Sequence, residues 1–312
     1  MGAIVRGKRL VRLGVSLSLL LGLVWLLDPR ELFFRFGAMQ LGWVVAGVAV
    51  SVLQVVASAW RWRFTATRLG VDLRLSAACR EYYRATFLNQ VLPGGVMGDV
   101  SRAWRHGRSQ AEAGSMGVAI RAVILERVSG QVVMMIVAVV SVASLSTRLE
   151  VNPWLRLLVS VVVVGVAVAG IMVWSWRRRF RADSLSRRFW RDARVALLSD
   201  RALFIQLASS VLIVASYLVT YLFAARAVGV DTPLLTLLPL IAPVLVTMLF
   251  PATIAGWGIR EGTAAVLWSA VGLTAVDGVV VSVGYGLLVL LSSFPGSVIL
   301  AMQMVRTTPT VA

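Results

Sequence analysis

The chain has 312 residues, of which 59% are hydrophobic and only 14% are charged. A soluble domain is nearer a quarter charged, so this composition excludes a soluble protein and favours one that is surrounded by lipid. The net charge of +17 does not indicate a nucleic-acid partner, because the basic residues cluster between apolar runs, at 1–12, 61–108 and 177–201. That distribution is typical of the cytoplasmic loops of a membrane protein and of contact with anionic lipids.

The apolar runs predict membrane-spanning helices. A helix that crosses a hydrocarbon core of ~30 Å needs about 20 apolar residues, and the runs lack the alternating pattern of barrel strands. We therefore predict an all-α integral membrane protein, a single domain over residues 1–312, with a bundle of about eight transmembrane helices. The predicted spans are 10–27, 41–60, 118–145, 154–176, 202–225, 233–250 and 277–304. The count of eight requires that the short run 259–275 is either a crossing or a deep hairpin.

The basic clusters also predict the orientation of the chain. Short loops that are rich in Arg stay in the cytoplasm, which places both termini there. The first apolar run is followed by Asp28-Pro29-Arg30-Glu31 rather than by a small-residue cleavage site, so it is expected to be an uncleaved helix. Lys8 is the only lysine, and this preference for Arg over Lys suggests a GC-rich bacterial genome. We predict a multi-pass protein of the bacterial cytoplasmic membrane.

Residues 177–201 predict a cationic amphipathic helix. Apolar residues recur there every three or four positions among many arginines, which gives one apolar stripe, and such a helix is expected to lie on a membrane surface. The helix either anchors the topology or gathers a substrate, and the first interpretation is simpler. The stripe consists of Leu185, Phe189, Ala193, Ala196 and Leu197.

Two Pro/Gly-broken segments, 89–102 and 250–261, concentrate the polar chemistry. In each one a Pro ends an apolar helix, a Gly follows five positions later, and a charge pair comes next. Non-helical backbone at membrane depth is tolerated only where it is buried in protein or lines a wet cavity. Paired interruptions in two halves are the best sequence indication of a transporter's site, so we predict two re-entrant elements that form matched halves of one site. Alternatively, Pro and Gly only turn the chain.

The residue types in these segments suit an anionic ligand. Free amide groups at a helix N-terminus and bidentate arginines both bind phosphate or carboxylate. Arg102 and Arg260 are predicted to contact an anionic headgroup. Glu126 is expected to pair with a charge from another segment, such as Arg260 or Arg102, although a purely structural ion pair is an equal alternative. The candidate substrate-binding residues are Asn89, Pro93, Gly94, Gly95, Gly98, Asp99, Arg102, Glu126, Arg127, Pro251, Gly256, Gly258, Arg260 and Glu261.

The sequence contains few residues that could support metal, nucleophilic or nucleotide chemistry. His106 is the only histidine and is expected at the headgroup-facing surface, so a His-based metal site or a Ser-His-Asp triad is not predicted. The glycines at 94–98 are not followed by Gly-Lys-Ser/Thr, which excludes a nucleotide-binding P-loop. We predict no enzyme activity, no cofactor and no metal. If lipid movement is ion-coupled, Asp99, Glu126 and Glu261 are the candidate proton carriers.

The chain resembles the flippase-like transmembrane family, which includes the membrane region of lysylphosphatidylglycerol synthases. The resemblance implies an eight-helix bundle with re-entrant elements that moves a lipid between leaflets. In bifunctional relatives a soluble synthase domain follows, whereas this chain ends at Ala312, so we expect a stand-alone member without that domain. The resemblance rests on Asn89-x-x-Leu92-Pro93-Gly94-Gly95-x-x-Gly98-Asp99-x-x-Arg102, on Glu126-Arg127, and on Pro251-x4-Gly256-x-Gly258-x-Arg260-Glu261.

Three hypotheses about function follow. The first is a translocator of a phospholipid or another lipid-linked anionic substrate, with membrane lipids as its partners. The second is a non-transporting partner of a separate synthase or glycosyltransferase that docks on 177–201. The third is an intramembrane transferase that uses Asp99 or Glu261 as a base. The sequence leaves the lipid, the direction of transport, the energy source and the oligomeric state open.

Overall fold

The computed structural model describes residues 34–92, 95–109, 115–148, 184–249 and 253–307. Within these ranges the chain forms helices and no strand, which confirms the predicted all-α class. The predicted spans 10–27 and 154–176 lie outside the described residues, as do Pro93, Gly94 and Pro251. The helices are α1 Leu41–Arg68, α2 Leu75–Val91, α3 Met97–Ser109, α4 Ser115–Arg148, α5 Ser184–Leu197, α6 Asp200–Ala227, α7 Leu234–Val246 with a 3-10 turn at Thr247–Leu249, α8 Ile259–Ala270 and α9 Ala275–Thr307.

Four of the described helices are long and apolar enough to cross a membrane. They are α1, α4, α6 and α9, and they coincide with the predicted spans 41–60, 118–145, 202–225 and 277–304. The helix α8 has only 12 residues, so at 1.5 Å per residue it is about 18 Å long and too short to span. The described residues therefore establish a helical membrane protein, while the count of eight crossings and the re-entrant elements stay predictions.

The described helices pack around two apolar cores. The larger core joins α6, α7, α8 and α9 and contains Tyr221, Trp268 and Tyr285. The smaller core joins α1, α2, α3 and α4 around Trp62. The two groups are connected because α1 packs along α6 and α9 packs on α2. Both groups contribute to the wall of one cavity, which lies in the region of the two broken segments.

Glycines allow two helices to approach the backbone of α2. A Cβ atom at Gly98 would overlap the carbonyl oxygen of Ala85, and one at Gly296 would overlap that of Tyr83. The start of α3 and the middle of α9 therefore lie directly against α2. Any larger side chain at either glycine would separate the helices, because packed interiors have no spare volume.

The helix α5 forms as predicted, but its surroundings differ from the prediction. Ala193 and Ala196 of the apolar stripe are buried against Leu125 of α4, and the Asp192 carboxylate accepts a hydrogen bond of 2.7 Å from Arg121. The prediction that this stripe lies on the membrane surface was wrong at these positions, because the bundle itself buries them. The exposed face of α5 consists of Arg187, Arg188, Arg191, Arg194 and Val195.

Candidate functional site

A cavity of about 200 Å³ lies between α1, α2, α4, α6, α7 and α9. The helices α1 and α2, the residues 95–99 and the first half of α4 contribute most of its polar lining, whereas α6, α7 and α9 contribute mainly apolar side chains. Such a lining suits a molecule with one charged part and one apolar part. The polar side chains include Gln54, Arg61, Asn89, Asp99, Glu126 and Arg127, and the apolar ones include Ile213, Val214, Leu245, Met248, Leu249 and Val289.

Five charged side chains form a continuous chain of ion pairs at the polar wall, which we call the charge chain: Arg61, Glu126, Arg102, Asp99 and Arg127. Glu126 accepts hydrogen bonds of 2.7 Å from both Arg61 and Arg102. The Nε of Arg102 donates to Asp99 over 3.0 Å, and Arg127 pairs with the other oxygen of Asp99. Three arginines face two carboxylates, so the charge chain has one positive charge in excess. The prediction that Glu126 pairs with a charge from another segment is confirmed.

Arg102 occupies the centre of the charge chain and does not line the cavity. Its side chain is fully buried, and its guanidinium carbon lies 4.7 Å from the ring centroid of Trp62 and 4.5 Å from that of Tyr82. The two aromatic rings stabilise the cation in this water-poor position. We predicted that Arg102 contacts a headgroup. The structure instead places Arg102 behind the residues that line the cavity, where it donates hydrogen bonds to Asp99 and Glu126.

Asn89 connects the end of α2 to the start of α3. Its Oδ1 accepts a hydrogen bond of 2.8 Å from the backbone N–H of Gly98, and its Nδ2 donates to Asp99 over 2.9 Å. Asn89 therefore satisfies a free amide at the N-terminus of α3 and orients the Asp99 carboxylate at the same time. Gly95, with φ of +62°, turns the chain between the two helices and lines the cavity.

The environment of Asp99 keeps its carboxylate ionised. Burial alone would raise its pKa, but the charges of Arg127 and Arg102, with hydrogen bonds from Arg127 and Asn89, outweigh burial and hold the pKa below its ordinary value. At neutral pH the side chain is therefore an anion that neutralises the neighbouring arginines. This pKa shift does not favour the predicted role of Asp99 as a proton carrier.

The second broken segment contains an ion pair that is sealed from the cavity. Arg260 donates to Glu261 over 2.6 Å and 3.0 Å, and Ser282 donates to the same carboxylate oxygen over 3.1 Å. The other oxygen of Glu261 accepts a bond of 2.6 Å from the N–H of Gly258, which caps α8. Both charged side chains are fully buried and neither lines the cavity. Arg260 therefore lies outside the cavity lining, and its contact with an anionic headgroup stays a prediction.

The turn before α8 gives the cavity an apolar wall instead. Ala255, Gly256 and Gly258 have φ angles of +50°, +81° and +90°, a left-handed conformation that glycine adopts without strain. Gly256 also leaves no room for a side chain, since a Cβ atom would lie 2.8 Å from the Cγ of Met248. Ala255 and Met248 line the cavity. Behind the wall, the Arg260 guanidinium carbon lies 5.3 Å from the ring of Tyr285, which also lines the cavity.

Two findings differ from the sequence analysis. Arg61 is part of the charge chain, although it was assigned to a cytoplasmic basic cluster. The sequence does contain an indication of this position. Small polar residues recur every seven positions on the buried face of α1, at Ser51, Ser58 and Thr65, and Arg61 lies on the same face. His106 was expected at the surface, but it is buried in α3 with its ring edge-on to Trp62 at 5.4 Å between centroids. His106 lies on the face of α3 that packs against Trp62, and this packing explains its burial.

The family comparison agrees with the motifs and the fold. The family model of the lysylphosphatidylglycerol synthase transmembrane region matches residues 9–296. This match confirms the resemblance that the motifs indicated. None of the curated proteins that were compared matches the chain. In the part of the chain that the structure describes, no three His, Cys, Asp or Glu side chains are grouped so that they could hold a metal ion.

Proposed function

The chain belongs to the family of the lysylphosphatidylglycerol synthase transmembrane region, and we propose that it moves a phospholipid or another lipid-linked anionic substrate across the cytoplasmic membrane. Family membership by itself makes it a membrane protein of lipid metabolism or transport. The finer proposal rests on the cavity, where an apolar surface adjoins a charge chain that has one positive charge in excess once the buried Arg102 is included.

The excess charge is the observation that supports the proposal most directly. A charged side chain at the centre of a spanning helix costs about 2.5–3.5 kcal/mol on insertion scales, so such groups are retained for a role. Arg61, Glu126 and Arg127 lie within the candidate spans α1 and α4. The two carboxylates neutralise two of the three arginines, and an anionic ligand would neutralise the third.

The size of the cavity indicates which part of a lipid it would hold. Pockets that enclose a drug-sized molecule have roughly 300–1,000 Å³, and this cavity has about 200 Å³. It therefore suits a headgroup and the first carbons of the acyl chains, while the rest of the chains stay in the bilayer. The apolar side chains of α6, α7 and α9 would contact those first carbons.

A leaflet-exchange assay in liposomes tests the proposal. Purified protein is reconstituted with a fluorescent phosphatidylglycerol, and a membrane-impermeant quencher then reports the rate at which label moves between leaflets. We expect faster exchange than in protein-free vesicles. The Arg127→Gln variant should lose most of the acceleration because the headgroup loses a cation that lines the cavity. Arg63→Gln is the matched control, since Arg63 is on α1, exposed and outside the cavity. Exchange at the protein-free rate would contradict the proposal.

A second function is favoured by α5 and is proposed as the alternative. Four arginines of α5 are exposed, whereas Ala193 and Ala196 of its apolar stripe are buried in the bundle. The arginines therefore form a charged face on a helix that the bundle holds in place. Such a face could dock a separate synthase or glycosyltransferase through acidic residues. Co-purification of such an enzyme, lost in a variant with all four arginines changed to Gln, would support this alternative if the wild-type protein shows no lipid exchange.

A further inference from the structure

The two ends of the charge chain share a property that its centre lacks. Arg61 and Arg127 both line the cavity, whereas Arg102 does not. Arg61 is 4% exposed, and its two terminal nitrogens donate to Glu126 and to Ser210 over 2.7 Å and 2.9 Å. Its Nε, like that of Arg127, is buried and has no hydrogen-bond partner in the described part of the chain. Nη1 of Arg102 is likewise buried without a partner, so the charge chain as a whole has more donors than acceptors among the described residues.

Gly130 lets the Arg61 guanidinium approach the part of α4 that carries Arg127. The guanidinium of Arg61 lies on the surface of α4 at this glycine, where an added Cβ atom would be 2.8 Å from Nη2 and 3.1 Å from Nη1. Arg127 precedes Gly130 by three residues, and residues at this spacing are neighbours on a helix surface, about 5–6 Å apart. Tyr217, another lining residue, interacts electrostatically with both arginines. The two cations therefore approach the same part of the cavity.

We propose that Arg61 and Arg127 hold one phosphodiester group between them, as the headgroup clamp of the substrate. This inference rests on the proposed function and assigns its substrate to the phosphodiester lipids. The oxygens of a phosphodiester point in different directions, so they can accept from donors on two helices at once. Its single negative charge equals the excess charge of the charge chain. The phosphodiester oxygens add acceptors to a charge chain that has too few, without the loss of any ion pair to Asp99 or Glu126.

The Gly130→Ala substitution tests the clamp without removing a charge. The added methyl group would displace the Arg61 guanidinium from α4, while Arg61, Glu126 and Arg127 all remain. Binding is measured by calorimetry on the full chain in detergent, with dihexanoyl phosphatidylglycerol as the probe and dihexanoylglycerol as the probe without phosphate. We expect the wild-type protein to bind only the first probe, and Gly130→Ala to bind it about tenfold more weakly, the effect of one lost charged hydrogen bond.

Two further variants keep the test decisive. Gly42→Ala is the matched control, because a Cβ atom there meets nothing within 4 Å, and it should bind like the wild-type protein. Arg61→Lys retains the charge but not the Nε donor, and we expect the same tenfold loss. Arg61→Lys decides the matter if Gly130→Ala does not fold. Wild-type affinity in folded Gly130→Ala or in Arg61→Lys would overturn the clamp, as would equal binding of both probes.

Different experimental outcomes would contradict the clamp and the proposed function. Phosphate-dependent binding that these variants weaken, in a protein that does not accelerate leaflet exchange, would support the clamp and contradict translocation. Accelerated exchange with equal binding of the two probes would overturn the clamp and leave translocation supported. Binding and exchange are therefore measured on the same protein preparations.

Discussion

The two broken segments have similar sequences and different environments. In the first, Asp99 and Arg102 join Glu126 and Arg127 to form a charge chain with one positive charge in excess. In the second, Arg260 and Glu261 neutralise each other and are fully buried. The first segment thus brings charge to the cavity, whereas the second contributes an apolar wall through Ala255.

Spacing and partners explain the difference. Asp99 and Arg102 are three residues apart on α3, so each keeps hydrogen-bonding capacity for residues of α4. Glu261 instead bonds the adjacent Arg260, the N–H of Gly258 and the hydroxyl of Ser282. Those bonds use the carboxylate locally, and little remains for a ligand. A repeated motif therefore does not give two equal halves of a binding site when the partners differ.

The largest expected effect is on stability, in the Arg102→Met variant. Without Arg102, Asp99 and Glu126 remain buried with too few partners, and the loss of one member of a buried ion pair costs about 3–5 kcal/mol. Denaturant unfolding in detergent, followed by tryptophan fluorescence, measures this loss. The control is Arg108→Met on the same helix, because Arg108 is exposed. Equal stability of the two variants would show that the charge chain does not support the fold.

The sealed pair of the second segment should be replaceable as a unit. Arg260→Met alone leaves a buried carboxylate and should cost about 3–5 kcal/mol. The double variant Arg260→Met with Glu261→Gln removes both charges, keeps one oxygen acceptor for the N–H of Gly258, and offers an amide N–H that can donate to the hydroxyl oxygen of Ser282. It should regain most of the loss, which denaturant unfolding of the two variants would reveal. A double variant no more stable than the single one would mean that the charges have another role.

The contact between α2 and α3 gives a smaller effect. In Gly98→Ala the added methyl group meets the carbonyl oxygen of Ala85, and such overpacking costs about 1–3 kcal/mol. Because Gly98 also binds Asn89, the variant should in addition disturb Asp99. The same unfolding measurement, with Gly42→Ala as the control for a glycine in open space, tests this. A variant as stable as the control would indicate that α3 can shift without cost.

The smallest effect is in the pH dependence that Asp99 contributes. Since its folded pKa lies below the ordinary value, its contribution to stability is complete above the ordinary pKa and is lost as the pH falls through the folded pKa. The difference in unfolding free energy between the wild-type protein and Asp99→Asn should stay constant from about pH 8 to 5 and shrink in more acidic solution. A change within the neutral range would instead favour Asp99 as a proton carrier.

The sequence predicted the helices better than it predicted which residues each helix packs against. Apolar length and composition were enough for the spans of α1, α4, α6 and α9, because lipid imposes a simple requirement on a helix. The cost of an unpaired charge predicted that Glu126 pairs with a charge from another segment, Arg260 or Arg102, and the structure shows Arg102 as the partner. The exclusion of Arg260 from the cavity and the inclusion of Arg61 depend on which helices pack together. Local sequence patterns do not specify which helices pack together.

The central claim is that the charge chain, which the first segment helps to form, serves the substrate, whereas the charges of the second segment serve the fold. Leaflet exchange of fluorescent phosphatidylglycerol, measured for equal amounts of folded protein, tests it with two variants. We predict that Arg127→Gln lowers the accelerated rate about tenfold, the effect of one charged hydrogen bond. The double variant Arg260→Met with Glu261→Gln should exchange lipid at the wild-type rate. Wild-type exchange in Arg127→Gln, or a loss of exchange in the folded double variant, would contradict the claim.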